Sequence, residues 1–226
     1  MIGRAVAKVF RVMQTSKVFD ALKMIAVSID EEVQSILDVG CGKGEKINYI
    51  LKEKRYDIIG LDGFLPYIEI CKSKNIFSDL IYCNIRYMPI REKSFDAVLL
   101  LAVIEHLRRD HAVKLLKELD AIARKQIVLS TNVGPIEQDA LDGNPHQVHK
   151  SAWNPQDLRS LGFTIVCGLN GLRVLYDAKG HYRFSSEAHR SLMILNAILV
   201  LFSQLISYFV PHLGIQFLAV RFPNLE

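Results

Sequence analysis

The chain has 226 residues, half of them hydrophobic and 23% charged, so it can bury a core and is not a disordered polymer. Its 28 basic and 24 acidic residues give a formal charge of +4 with no long basic run, which excludes a nucleic-acid arm and selects no polyanionic partner. The four cysteines, at 41, 71, 83 and 167, form no Cys-x-x-Cys pair and no His/Cys spacing suited to zinc, so free thiols, a reducing cytoplasmic setting and no metal are expected.

In chain order, Val6, Val9, Phe10 and Met13 recur at helical spacing and predict one or two helices over 3–28, in an N-terminus that lacks the features of a signal peptide. Ser35 to Val39 is a short apolar run that ends in glycines, which suits a buried strand. A helix over 43–54, a strand from Tyr56 to Leu61 ending at Asp62, a helix over 65–74 and a strand over 79–83 come next. Phe95 to Leu101 is a strand too apolar to have a wet face; Asp110 is placed to cap a helix over 111–124, and Gln126 to Ser130 is the next strand. Strands and helices alternating in this way predict a doubly wound α/β sheet, mostly parallel and covered on both faces.

After residue 132 the pattern changes. Residues 133–153 carry glycines, prolines, His146, His149 and Trp153 with little periodicity, as a functional loop would. Trp153 reads more readily as a packing anchor than as a substrate platform. Asn154-Pro155 starts a short helix, with Asn as N-cap and Pro at the first helical position. Phe163 to Gly168 and Ile215 to Arg221 read as two further strands.

Leu192 to Val210 lies between those strands and contains no charge, with Asn196, Ser203, Gln204 and Ser207 on one helical stripe. A membrane-spanning role conflicts with a strand after it in the same sheet. Three readings stay open for this helix: packing on the domain, a homodimer face, or a peripheral membrane contact through 192–210.

The chemistry-bearing residues cluster early. Gly40, Gly42 and Gly44 come after the first strand in a G-x-G-x-G spacing, whereas a dinucleotide fingerprint requires Gly or Ala where Glu45 stands. Such a turn lets backbone approach a ligand closely, and Asp38 beside it would attract a ligand amino group. Asp62, 22 positions after Gly40, offers two acceptor oxygens to a ribose diol. The competing readings are a turn that only packs and a surface Asp that merely ends a strand.

The runs ILDVGCGKGE, IIGLDGF and CNIRYMPIREKSFDAVLLLAVIEHL resemble the small-molecule branch of the class I S-adenosylmethionine-dependent methyltransferases over roughly residues 33–132. The resemblance implies a seven-stranded sheet whose last strand is antiparallel, with S-adenosylmethionine lying across the strand ends. It implies that Asp38, Gly40 and Gly42 line the methionine part, that Asp62 holds the ribose, and that Asn84 and Ile85 sit beside adenine; by the same match the cofactor contacts extend to Cys41, Gly63 and Leu101. Position 84 departs from the commonest pattern, an aspartate, and Asn84 would accept through its amide oxygen without charge assistance.

Methyl transfer is a displacement at the sulfonium methyl, so holding acceptor and methyl in line supplies most of the catalysis. A base is required only when the acceptor must lose a proton. His106, His146 and His149 are the candidates, because a histidine pKa of about 6.5 suits that role. For His106 the competing reading is a residue that opens a helix after the strand.

The expectation is one domain over 1–226: an N-terminal helical cap over 1–34, a cofactor core over 35–132, and a substrate loop, apolar helix and final strands over 133–226. Its acceptor is expected to be a small molecule methylated at oxygen or carbon, and the greasy helix tilts the expectation toward a lipophilic one. A nucleic-acid acceptor is not favoured, since the turn Leu101 to His106 has no proline or stacking aromatic of the kind used on flipped bases. Two alternatives remain: a cofactor-binding assembly or regulatory protein without transfer activity, and a methyltransferase acting on RNA or protein. The expected compartment is the cytoplasm, with membrane association through the apolar helix as the variant.

Overall fold

A computed structural model of the protein describes residues 21–50, 56–172 and 202–223, without the side chains of 170–172. Most of the expected N-terminal helices, the end of the 43–54 helix and residues 192–201 lie outside them. The elements in order are α1 (Ala21–Val27), β1 (Ser35–Val39), α2 (Glu45–Ile50), β2 (Asp57–Asp62), α3 (Leu65–Lys74), β3 (Asp79–Tyr82), β4 (Phe95–Leu101), α4 (Arg109–Ile122), β5 (Ala123–Asn132), α5 (Pro155–Ser160), β6 (Thr164–Leu172) and β7 (Gly214–Arg221). Residues 202–209 form a helix before β7.

The seven strands make one sheet in the order β3-β2-β1-β4-β5-β7-β6. β1 pairs in parallel with β2 and β4, and β4 with β5, while β7 runs antiparallel to both β5 and β6. This is the doubly wound sheet with an antiparallel last strand. Successive strand residues face opposite sides, so Leu37 and Val39 join one core cluster and Ile36 the other. Every residue of β4 is buried, Asp96 included. The Asp96 carboxylate accepts from the backbone N–H groups of Gln34 and Ser35 and from Arg124 Nε, which satisfies it between β1 and β5.

Strand order reverses between β1 and β4, and the crevice outside their carboxyl ends is where a ligand is held in such sheets.

Two expectations are corrected. Asp110 does not cap α4: Arg108 occupies the N-cap position and Asp110 lies in the first turn, where its charge favours the helix dipole instead. His106 does not open a helix but ends a 3-10 turn, Ile104–His106. In the described part of the apolar helix, Ser203 and Ser207 are buried, whereas Phe202, Leu205, Ile206 and Phe209 are exposed. The cause is Gly168 on β6. A Cβ at that position would collide with the Ser207 backbone, so only glycine lets the helix approach by its small-residue side. Among the described residues no helix is long and apolar enough to cross a membrane.

The α5 N-terminus agrees with the expectation. Asn154 Oδ1 accepts from Asp157 N at 3.1 Å and Asp157 Oδ2 from Asn154 N at 2.9 Å, a reciprocal capping box with Pro155 in the first turn.

Candidate functional site

Two cavities open at the carboxyl ends of β1 and β4, one of 450 Å³ and one of 680 Å³. Gly40, Ala102, His106 and Gln147 line both, so the two form a single cleft divided at its middle. Ala102 holds a left-handed backbone at φ 58, unusual for a residue with a Cβ, as the chain turns out of β4.

The larger side is built by the end of β2 and by the segment that leaves β3. Asp62 Oδ2 accepts from Gly42 N at 2.9 Å and Oδ1 from Phe64 N at 2.8 Å, which fixes the carboxylate while each oxygen keeps an acceptor site. Gly63, Asn84 and Ile85 line the same wall. Asn84 Oδ1 already accepts from Arg86 N at 3.0 Å and Arg86 Nε at 3.3 Å, so the acceptor expected for an adenine amino group is engaged within its own turn.

The smaller side begins at the glycine turn. Gly40 has φ 73, and a Cβ there would come within 2.7 Å of Val103 Cγ2. Gly42, at φ 55, faces open space within the cleft. Cys41 lines the same cavity with its side chain largely buried, and burial pushes its thiol well above the ordinary range. Asp38 is 3% exposed, and burial raises its carboxyl to about 7 against the pull of Lys46. Leu101 is buried, and its carbonyl accepts from Lys46 Nζ at 2.6 Å; the desolvated ammonium is held below the usual lysine range.

This geometry fits S-adenosylmethionine. A buried carboxylate awaits an ammonium, a glycine face lies open to a ligand, and a fixed carboxylate at the second strand end can accept from a diol. Bound there, the cofactor would supply a sulfonium methyl, and these residues would set its position.

The three histidines separate. The rings of His106 and His149 meet at a tilt of 44° with centroids 4.9 Å apart, and both residues line the smaller cavity. His146 is exposed on the larger side, near Gly63 and close enough for its charge to act on Asp62. Burial holds His106 down to about 4, so its imidazole is neutral at physiological pH.

Several contributors were not singled out from sequence. Glu105 is 2% exposed and lies against His106 and His149, signalled only by its place in the Glu105-His106-Leu107 run. Asp142, at φ 54, ion-pairs with Lys43 at 2.7 Å and accepts from Tyr67 Oη at 2.8 Å, latching the 133–153 loop to the glycine turn. No local signal marks that pairing. Trp153 is fully buried, its indole N–H donating to Ser151 Oγ at 2.9 Å, and it serves as the loop's anchor.

Residues 37–129 match the family model described as a methyltransferase domain. A Bos taurus protein named "Probable tRNA methyltransferase 9B" is 31% identical over 83 residues, covering 35% of this chain and 17% of its own length. A Xenopus tropicalis protein, tRNA (carboxymethyluridine(34)-5-O)-methyltransferase alkbh8, is 30% identical over 105 residues, covering 46% of this chain and 16% of its own length. The chain thus spans about a sixth of these curated relatives.

Among solved structures, a chain from the "Complex between the Haloferax volcanii Trm112 methyltransferase activator and the putative methyltransferase" aligns with TM-score 0.59 at 15% identity, over 90% of this chain and 88% of that one. Magnesium protoporphyrin IX methyltransferase from Synechocystis PCC 6803, with bound S-adenosylmethionine, aligns with TM-score 0.52 at 15% identity, over 96% and 83%. These structural likenesses establish the fold.

Proposed function

We propose that this chain, whose residues 37–129 match a methyltransferase-domain model, is a class I S-adenosylmethionine-dependent methyltransferase that moves the cofactor's methyl group to an oxygen of a small polar acceptor held in the 450 Å³ cavity. Asp62 takes the ribose diol, Asp38 the ammonium of the methionine part, and the Gly40–Gly42 turn the space between them. The observation that carries this reading is the single cleft shared by those cofactor residues and the Glu105/His106/His149 group at its other end.

The acceptor side is polar. Asn132, Gln138, Gln147, Gln216 and His149 offer it hydrogen bonds, which favours a hydroxyl-bearing acceptor over a purely lipid-like one. The test traces a labelled methyl group from the cofactor into a panel of hydroxyl compounds. Transfer that Asp62→Ala abolishes supports the reading. Tight cofactor binding without transfer to any acceptor would instead indicate a cofactor-binding assembly or regulatory protein.

A second reading takes an RNA acceptor. The names of the curated relatives point to tRNA, and Arg86, Arg108 and Lys150 line the 680 Å³ side of the cleft, beside exposed Tyr87. Binding of tRNA that weakens steeply with salt, with a slope reduced in Arg108→Ala, would favour it.

A further inference from the structure

We propose that Glu105, His106 and His149 form a three-ligand site for a divalent first-row transition-metal ion, open toward the acceptor side of the cleft. One ligand atom from each residue lies within 4.8 Å of the other two, and all three residues line the 450 Å³ cavity.

Two of the ligands are already oriented by a partner on the far side. His149 Nδ1 stands 2.6 Å from the Ile136 carbonyl, which can only accept, so Nδ1 carries the proton and Nε2 keeps its lone pair. Thr131 Oγ1 donates to Glu105 Oε2 at 2.8 Å, leaving Oε1. Glu105 is 2% exposed, and both its Oε1 and His106 Nδ1 are buried without a hydrogen-bond partner. An orphaned carboxylate oxygen beside an orphaned imidazole nitrogen is costly, and a bound cation satisfies both. The loop that delivers His149 is pinned onto Glu105 itself, whose carbonyl accepts from Lys150 N at 2.8 Å and Ser151 N at 3.1 Å.

The donor set selects the ion. Two imidazoles and one carboxylate suit zinc, manganese, iron or cobalt, whereas magnesium and calcium prefer oxygen donors. Three protein ligands leave coordination positions free for an acceptor oxygen, which the ion would hold and polarise. The role toward an acceptor rests on the methyl-transfer reading; the binding of the ion does not.

The test is calorimetric titration of chelator-treated protein with Zn²⁺, Mn²⁺ and Mg²⁺, with Co²⁺ absorption as a second readout and S-adenosylhomocysteine titrated in parallel. One Zn²⁺ or Mn²⁺ per chain is expected, with affinity far above that for Mg²⁺. His149→Ala should weaken it at least about 30-fold and Thr131→Val, which keeps all three ligands, roughly tenfold. Both variants should retain S-adenosylhomocysteine binding, which also shows that they fold, and His212→Ala should change nothing. Absence of transition-metal binding, or binding that survives His149→Ala unchanged, overturns the proposal. S-adenosylhomocysteine binding without metal binding removes only this site, whereas metal binding without cofactor binding removes only the methyltransferase reading.

Discussion

On the proposed ribose side of the cleft, the candidate binding groups belong to continuous strand–turn segments, and each is held by backbone a few residues away or on the adjacent strand. Asp62 accepts from Gly42 and Phe64 N–H groups, and Gly40 N donates to Leu61 O at 2.7 Å. On the acceptor side the groups arrive from separate elements: Glu105 from the turn after β4, Thr131 and Asn132 from β5, and His149 from a loop that returns over the strand ends. The first side is a rigid scaffold and the second an assembly. Substitutions on the first should therefore remove cofactor binding, and substitutions on the second should change transfer while leaving the cofactor in place.

The largest effect is expected from Gly40→Val. Its φ of 73 and the contact a Cβ would make with Val103 both oppose a side chain there. Titration with S-adenosylhomocysteine should show affinity reduced by roughly 100-fold or more, with stability lowered by about 1–3 kcal/mol in denaturant unfolding.

Asp38→Asn should separate stability from binding. The folded-state pKa of Asp38 is raised to about 7, so the folded protein favours the protonated carboxyl. Its contribution to stability is present in full below the unfolded value, is lost as pH rises through about 7, and is a cost above that. Asp38→Asn should therefore raise stability at pH 8 by up to about 4 kcal/mol, and by clearly less at pH 5. Cofactor affinity should run the opposite way. In the wild type it should rise with pH through about 7, as the carboxylate that attracts the ammonium forms, and the Asp38→Asn variant should lose that rise.

His149→Ala and His146→Ala probe the two sides directly. The former should lower kcat at least about tenfold with cofactor affinity unchanged, and the latter should alter cofactor affinity by a few-fold at most. The smallest effect belongs to Asp142→Ala. Its ion pair with Lys43 is open to solvent, so stability should barely shift, while cofactor release in stopped-flow measurements should accelerate several-fold as the loop loses its latch.

The same contrast explains what the sequence revealed. β1, the glycine turn and Asp62 were legible because their geometry is local: a buried run, glycines where the chain must turn with positive φ, and an acidic residue at the next strand end. The grouping of His149 with Glu105 was not, because it depends on the path of residues 133–153, where no periodicity reports direction. His146 sits near His149 in sequence, yet the 3-10 turn Pro145–Gln147 sends it to the ribose side. The helix over 202–209 was legible as a helix but not in its orientation, which Gly168 on a distant strand decides.

The most direct test of the account is calorimetric titration of the purified protein with S-adenosylmethionine and S-adenosylhomocysteine beside the Asp62→Ala variant. Micromolar binding of both ligands by the wild type, lost in the variant, is the predicted result. A folded wild type that binds neither would contradict the cofactor assignment, leaving the glycine turn with a packing role alone.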